Sequence, residues 1–202
     1  LFPGTLLELA LAAGRHAAGL NRKEIRIQDH TIHYLEGGKG QTILLLHGFG
    51  ASKESWIRFA RHLTGGYRVV IPDLPGFGQS SRIPAASYDM ETQLKRIELF
   101  AEALIPDKFH LAGNSMGGTL AALYAAEHPR RIATLALLAP GGVGSPRPSE
   151  LAKLIQKGIN PLLTGNAEDF DRLLELCFAK PPFIPSQFKK VMASAASLQR
   201  NF

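Results

Sequence analysis

The sequence predicts an α/β fold, a mostly parallel sheet flanked by helices, and three observations predict it. Short, unbroken apolar runs such as Thr42-Ile43-Leu44-Leu45-Leu46 and Ile132-Ala133-Thr134-Leu135-Ala136-Leu137-Leu138 read as strands buried on both faces. Segments of helical periodicity alternate with these runs, which means parallel pairing through crossover helices. The runs also empty into glycine-containing loops, His47-Gly48-Phe49-Gly50 and Ala139-Pro140-Gly141-Gly142 among them. Ligands of such sheets bind outside the carboxyl ends of the strands, so these loops converge on one place.

Residues 1–22 read as an N-terminal helix. Leu1 to Leu20 is rich in Leu and Ala, has Glu8, Arg15 and His16 as its ionisable side chains, and sets Leu6, Leu9, Ala10, Ala13 and Ala17 on one face. Two readings stay open: a helix packed on the domain, or a juxtamembrane helix after an anchor, with Pro3 at the exit. Both ends of the chain read as cut.

Residues 23–144 carry the sheet. Glu24 to Ile27 and Thr31 to Leu35 alternate apolar and polar positions around Gln28-Asp29-His30, a β-hairpin on which His30 and His33 read as polar surface. After the Thr42 strand, Lys53 to Leu63 fits a helix burying Trp56, Phe59, Ala60 and Leu63, stopped by Gly65-Gly66. A strand from Tyr67 to Ile71 follows, then a helix from about Asp89 to Leu104 that buries Leu94, Ile97, Phe100, Ala101 and Leu104. A strand from Phe109, a helix from Met116 to about His128 and the Ile132 strand, read as buried, complete this part. From Ser145 the texture changes. Helical segments at about Ser149 to Lys157, Ala167 to Ala179 and Pro185 to Leu198 are separated by Asn160-Pro161 and Pro181-Pro182, and no further buried strand appears in residues 145–202.

A chain of 202 residues, 45% hydrophobic, can bury one substantial core with an appended lobe. Its net charge of +6 is dispersed, without a run that could track a phosphate backbone, which argues against nucleic acid and leaves attraction to an anionic membrane surface open. Cys177 stands alone, so no internal disulfide forms; it reads as a small apolar side chain in a helix.

The chemistry centres on Phe109-His110-Leu111-Ala112-Gly113-Asn114-Ser115-Met116-Gly117-Gly118, a strand, a sharp turn and a helix with Ser115 at the turn. A serine on a strained strand-to-helix elbow needs neighbours without side chains where the backbone passes close, and Gly113 and Gly117 supply them. The bland reading is a serine capping a helix. An oxyanion beside this serine needs two N–H donors: Met116, after the nucleophile, and Phe49 in the loop carrying the His47-Gly48 pair, where His47 braces the loop. Val69-Val70-Ile71-Pro72-Asp73-Leu74-Pro75-Gly76-Phe77-Gly78-Gln79-Ser80 adds a strand leaving into a glycine-rich loop; Asp73 precedes the nucleophile strand and so reads as a loop brace rather than the catalytic acid.

These three blocks, in this order, resemble the α/β-hydrolase fold, and in particular its monoacylglycerol lipase and esterase branch with a helical cap. The resemblance covers the chain from about Ile25 to its end. It implies that residues 145–202 are the cap or lid inserted after the sixth strand, with Leu173, Leu174, Leu176, Phe178, Phe183 and Phe188 candidates to face an acyl chain, and Leu174, Phe178 and Phe183 foremost. It implies hydrolysis of carboxylic esters through an acyl-enzyme on Ser115, with no metal or organic cofactor, and a membrane-associated, secreted or periplasmic setting ahead of a cytoplasmic one. It also implies that the last strands of the sheet, and the triad acid and histidine borne on them, lie beyond residue 202 or on a second polypeptide. Downstream of Ser115 the chain has one histidine, His128, about a dozen residues along the helix and more than about 10 Å away at about 1.5 Å per residue, too far for proton transfer. The chain alone is therefore expected to be nearly inactive, with an open, apolar sixth strand. Two rival readings remain: hydrolysis of a carbon–carbon bond beside a carbonyl, compatible with the spacing from His47 to Trp56, and a non-catalytic fragment that binds a lipid or partner protein.

Overall fold

Ile43 and Leu45 point to one side of the Thr42 strand, Leu44 and Leu46 to the other, and each pair lies in a different hydrophobic core. That two-sided burial explains the unbroken apolar run. In the computed structural model, which describes residues 3–144, 146–186, 188 and 189, six strands make one sheet in the order β1-β2-β4-β3-β5-β6. These are β1 (Leu20–Ile27), β2 (His30–Gly37), β3 (Thr42–Leu46), β4 (Arg68–Pro72), β5 (Phe109–Asn114) and β6 (Ile132–Leu138). β1 and β2 form an antiparallel hairpin, β2 joins β4 antiparallel, and β4, β3, β5 and β6 are mutually parallel. The sheet is thus mostly parallel, with an antiparallel edge.

The helices are α1 (Pro3–Ala17), α2 (Ile57–Ala60), α3 (Met90–Leu104), α4 (Met116–Glu127), α5 (Glu150–Gln156) and α6 (Ala167–Cys177). Contacts divide the chain into two compact units, residues 11–142 and residues 1–10 with 143–202. In the first unit α3 and α4 bury Leu94, Ile97, Phe100, Leu120 and Tyr124 with Leu44, Leu46 and Leu111 of the sheet. On the opposite face Trp56, Ile57 and Ala60 pack with Ile43, Leu45, Val69 and Ile71. In the second unit, Ser149 caps α5 by accepting from the Ala152 N–H, Asn166 caps α6 by accepting from the Asp169 N–H, and Phe170 is buried.

Several expectations are corrected. The Leu6, Leu9, Ala10, Ala13 and Ala17 face of α1 is exposed. The helix instead packs through Gly14, whose missing side chain admits Ile57, through Ala18, and through Arg15, which donates to Glu54 at 2.8 Å. The segment from Lys53 is not one helix: a 3-10 turn, Lys53–Trp56, precedes the four-residue α2, and Phe59 is exposed beside Trp56. Lys53 itself is buried. His30 is not surface but fully buried, between Asp29 at 2.6 Å and the Tyr88 hydroxyl at 3.1 Å. β6 is not a buried strand. It pairs with β5 on one side and, among the described residues, with no strand on the other, so Ala133 to Leu138 are exposed. Cys177 is also exposed, at the residue where α6 stops and the chain turns extended. The helix expected over Pro185 to Leu198 lies mostly outside the described residues. Among the described residues no helix is long and apolar enough to cross a membrane.

Candidate active site

Ser115 adopts φ 52° and ψ −118°, a conformation that costs a non-glycine residue about 1–3 kcal/mol. The surroundings over-determine it. Its N–H donates to the Leu138 carbonyl at 3.0 Å, and its own carbonyl accepts from the N–H groups of Thr119 at 3.0 Å and Gly141 at 3.1 Å. The exit from β6 therefore clamps the elbow: Thr119 Oγ1 donates to the Gly141 carbonyl at 2.9 Å, and Asn114 Nδ2 donates to the Leu138 carbonyl at 3.2 Å.

The two elbow glycines have no substitute. A Cβ on Gly113 would fall 2.1 Å from the Gly117 carbonyl oxygen, and one on Gly117 would fall 2.4 Å from the carbonyl oxygens of both Leu46 and His47. β5, α4 and the end of β3 thus touch backbone to backbone around the serine. Gly48 closes the arrangement from the other side, because a Cβ there would lie 3.2 Å from Ser115 Cβ. The His47-Gly48-Phe49 segment and Ser115 are therefore neighbours, as their separate motifs predict. Ser115 is half-buried, and Met116 opens α4, whose first N–H groups have no partners within the helix. Phe49 is half-buried with its ring edge-on to Phe77 at 5.5 Å.

His47 is a brace. Its Nε2 accepts from the Leu74 N–H at 2.9 Å, which leaves the proton on Nδ1 to donate to the Gly48 carbonyl at 2.8 Å. It is fully buried, and burial pushes its pKa below the ordinary 6.5, so it stays neutral with both nitrogens engaged. Asp73, also fully buried, accepts from the Lys53 and Gln79 backbone N–H groups and from the Lys53 ammonium, as its reading as a loop brace requires. Lys53 is the residue the sequence reading passed over; lysine is so rarely buried that nothing local marks it. No histidine of the described residues bonds to Ser115: His110 binds Thr134 and Gln41, and His128 binds Glu98 at 2.7 Å. Leu174 lies half-buried on α6, Phe178 follows α6 and is exposed, and Phe183 is 93% exposed. For a metal, the described residues bring together Glu98, Glu127 and His128, whose ligand atoms lie within 4.8 Å of one another, yet His128 and the Lys95 ammonium already satisfy the Glu98 carboxylate.

The family described as the alpha/beta hydrolase fold matches residues 41–180, which hold the elbow, the Gly48 loop and the Asp73 loop. The chain belongs to the α/β-hydrolase family. Among its α/β-hydrolase relatives, Lipase 1 of Psychrobacter immobilis is 37% identical over 185 residues, covering 86% of this chain and 57% of that protein. A monoacylglycerol lipase of Xenopus laevis, abhd6-B, is 34% identical over 199 residues, covering 93% of this chain and 59% of that protein. The chain thus spans somewhat over half the length of these curated relatives. A solved structure described as a membrane phospholipase A, a novel bacterial virulence factor, is 46% identical with a TM-score of 0.93, over 98% of this chain and 64% of that one.

Proposed function

We propose that this α/β-hydrolase chain carries the nucleophile and oxyanion donors of a carboxylic ester hydrolase of the lipase type, acting on acyl esters such as monoacylglycerols. Ser115 Oγ attacks the ester carbonyl, and the negative oxygen is held by the N–H groups of Phe49 and Met116. A histidine from outside residues 1–202, held by an acid, takes the serine proton and gives it to the departing alcohol. Water then cleaves the acyl-enzyme by the same proton route, releasing the fatty acid and restoring the serine. The observation that carries this reading is the strained Ser115 elbow with the Gly48 backbone against its Cβ. The lipase relatives favour lipid esters over a carbon–carbon bond substrate, and the exposed Leu6 and Leu9 of α1 support contact with a membrane surface.

The test is covalent labelling of the full natural chain with a fluorophosphonate. Labelling at Ser115 that disappears in Ser115→Ala supports the assignment, and label retained by that variant overturns it. Residues 1–202 alone are expected to turn over p-nitrophenyl esters about 10⁴- to 10⁶-fold more slowly than the full natural chain, the loss that removal of a triad member brings. Ready turnover by the isolated chain would refute an external base.

A further inference from the structure

We propose that Lys53 and Asp73 are positioning residues of the oxyanion loop, a buried ion pair that sets where the Phe49 N–H points. The proposal rests on the reading of Phe49 as an oxyanion donor.

Two loops meet, residues 47–53 after β3 and residues 73–80 after β4, and Gly48 of the first lies against Ser115. They are tied at two places, and Phe49 lies between the ties. At the first, the Leu74 N–H donates to His47 Nε2 at 2.9 Å. At the second, Asp73 Oδ1 accepts from the Lys53 N–H at 2.7 Å, while Oδ2 accepts from the Lys53 ammonium at 2.5 Å and from the Gln79 N–H at 2.8 Å. The ammonium also donates to Gln79 Oε1 at 2.9 Å. Lys53 is 1% exposed and Asp73 is fully buried. The second loop wraps the carboxylate so closely that a Cβ on Gly78 would fall 2.2 Å from the Asp73 carboxyl carbon. Between the ties, the Phe77 ring meets His47 at 5.7 Å and Phe49 at 5.5 Å, both edge-on.

Stability alone is a poor reason for this pair. Taking two charges out of water costs about as much as their attraction returns, and a well-packed apolar pair of the same volume would hold the loops as firmly. What the ion pair adds is direction. The carboxylate has one set of positions from which it can accept from residue 53 twice and from residue 79, so the register of one loop against the other is set by three short bonds. An oxyanion donor displaced by about 1 Å costs about a hundredfold in rate, so the loop of residues 47–53 needs such a tie at each end.

The test uses the full natural chain with p-nitrophenyl esters, each variant normalised by fluorophosphonate titration of its reactive serine. Lys53→Met paired with Asp73→Asn removes both charges without leaving one stranded. Gln79→Ala, at an exposed position, removes only the second acceptor of the ammonium. The double variant is expected to lose about tenfold to a hundredfold in kcat per titrated serine with KM within about twofold, and to bind a trifluoromethyl ketone, which forms the oxyanion, more weakly by the same factor as kcat/KM falls. Gln79→Ala is expected to lose about twofold to fivefold in the same pattern. A purely structural role would lower the titratable fraction and the melting temperature while kcat per titrated serine stays at the parent value in both variants, and that result overturns the proposal. Failure of the parent protein to label at all is a different outcome, and it sinks the hydrolase reading on which the proposal stands.

Discussion

At the scale of single residues, the serine elbow stores strain that a test can release. Glycine reaches φ 52° without a steric penalty, whereas alanine keeps the Cβ that causes it. Ser115→Gly is therefore expected to be more stable than Ser115→Ala by about 1 kcal/mol in urea denaturation, with neither labelled by a fluorophosphonate. His47 makes a second prediction. Burial depresses its folded pKa below the unfolded 6.5, so its contribution to stability is full above that pH and is lost as pH falls through the folded value. Urea midpoints measured from pH 7.5 to 5 should drop for the parent and drop less steeply for His47→Gln. Ser115, Gly113 and Gly117 were legible because a spacing of two residues encodes their geometry. Lys53 and His30 were not, because Asp73, which pairs with Lys53, and Tyr88, which bonds the second nitrogen of His30 beside the adjacent Asp29, lie 20 and 58 residues away.

At the scale of elements, the elbow is held by backbone packing rather than by side chains. Gly117→Ala would press a methyl against two carbonyl oxygens at 2.4 Å, backbone that cannot swing aside. That substitution is expected to cost more than about 3 kcal/mol or to abolish soluble expression, measured by chemical denaturation or the soluble fraction. Asn166 acts more mildly at the start of α6; Asn166→Ala should cost about 1 kcal/mol by the same measurement, because the Asp169 N–H loses its acceptor. The side of α1 that packs is set by tertiary contacts in the same way. Its Leu and Ala spacing names an apolar stripe, but the Arg15 bond to Glu54 and the fit of Gly14 against Ile57 turn a different side inward.

At the scale of the whole molecule, the sheet of the described residues has two edges, β1 of the hairpin at one and β6 at the other. β6 presents Leu135 and Leu137 on one exposed face, 40% and 41% accessible, next to a strand edge that pairs with no strand among the described residues. Such an edge pairs with other strands. Residues 1–202 alone are expected to self-associate at micromolar concentration in size-exclusion chromatography with light scattering, and Leu135→Lys with Leu137→Lys to shift the population toward monomer. A monomeric parent at those concentrations would refute this. The same local pattern that announced β6 as a strand misjudged its burial, since seven apolar residues cannot say whether a neighbour covers them.

The sequence by itself determined the order of strands and helices, the elbow with its two glycines, and the loops that meet it, because each depends on residues close together in the chain and on backbone sterics that act locally. Tertiary structure alone decided which side of α1 faces inward and that Lys53 and His30 are buried. Burial and charge pairing depend on what arrives from elsewhere in the chain, and no local pattern carries that information.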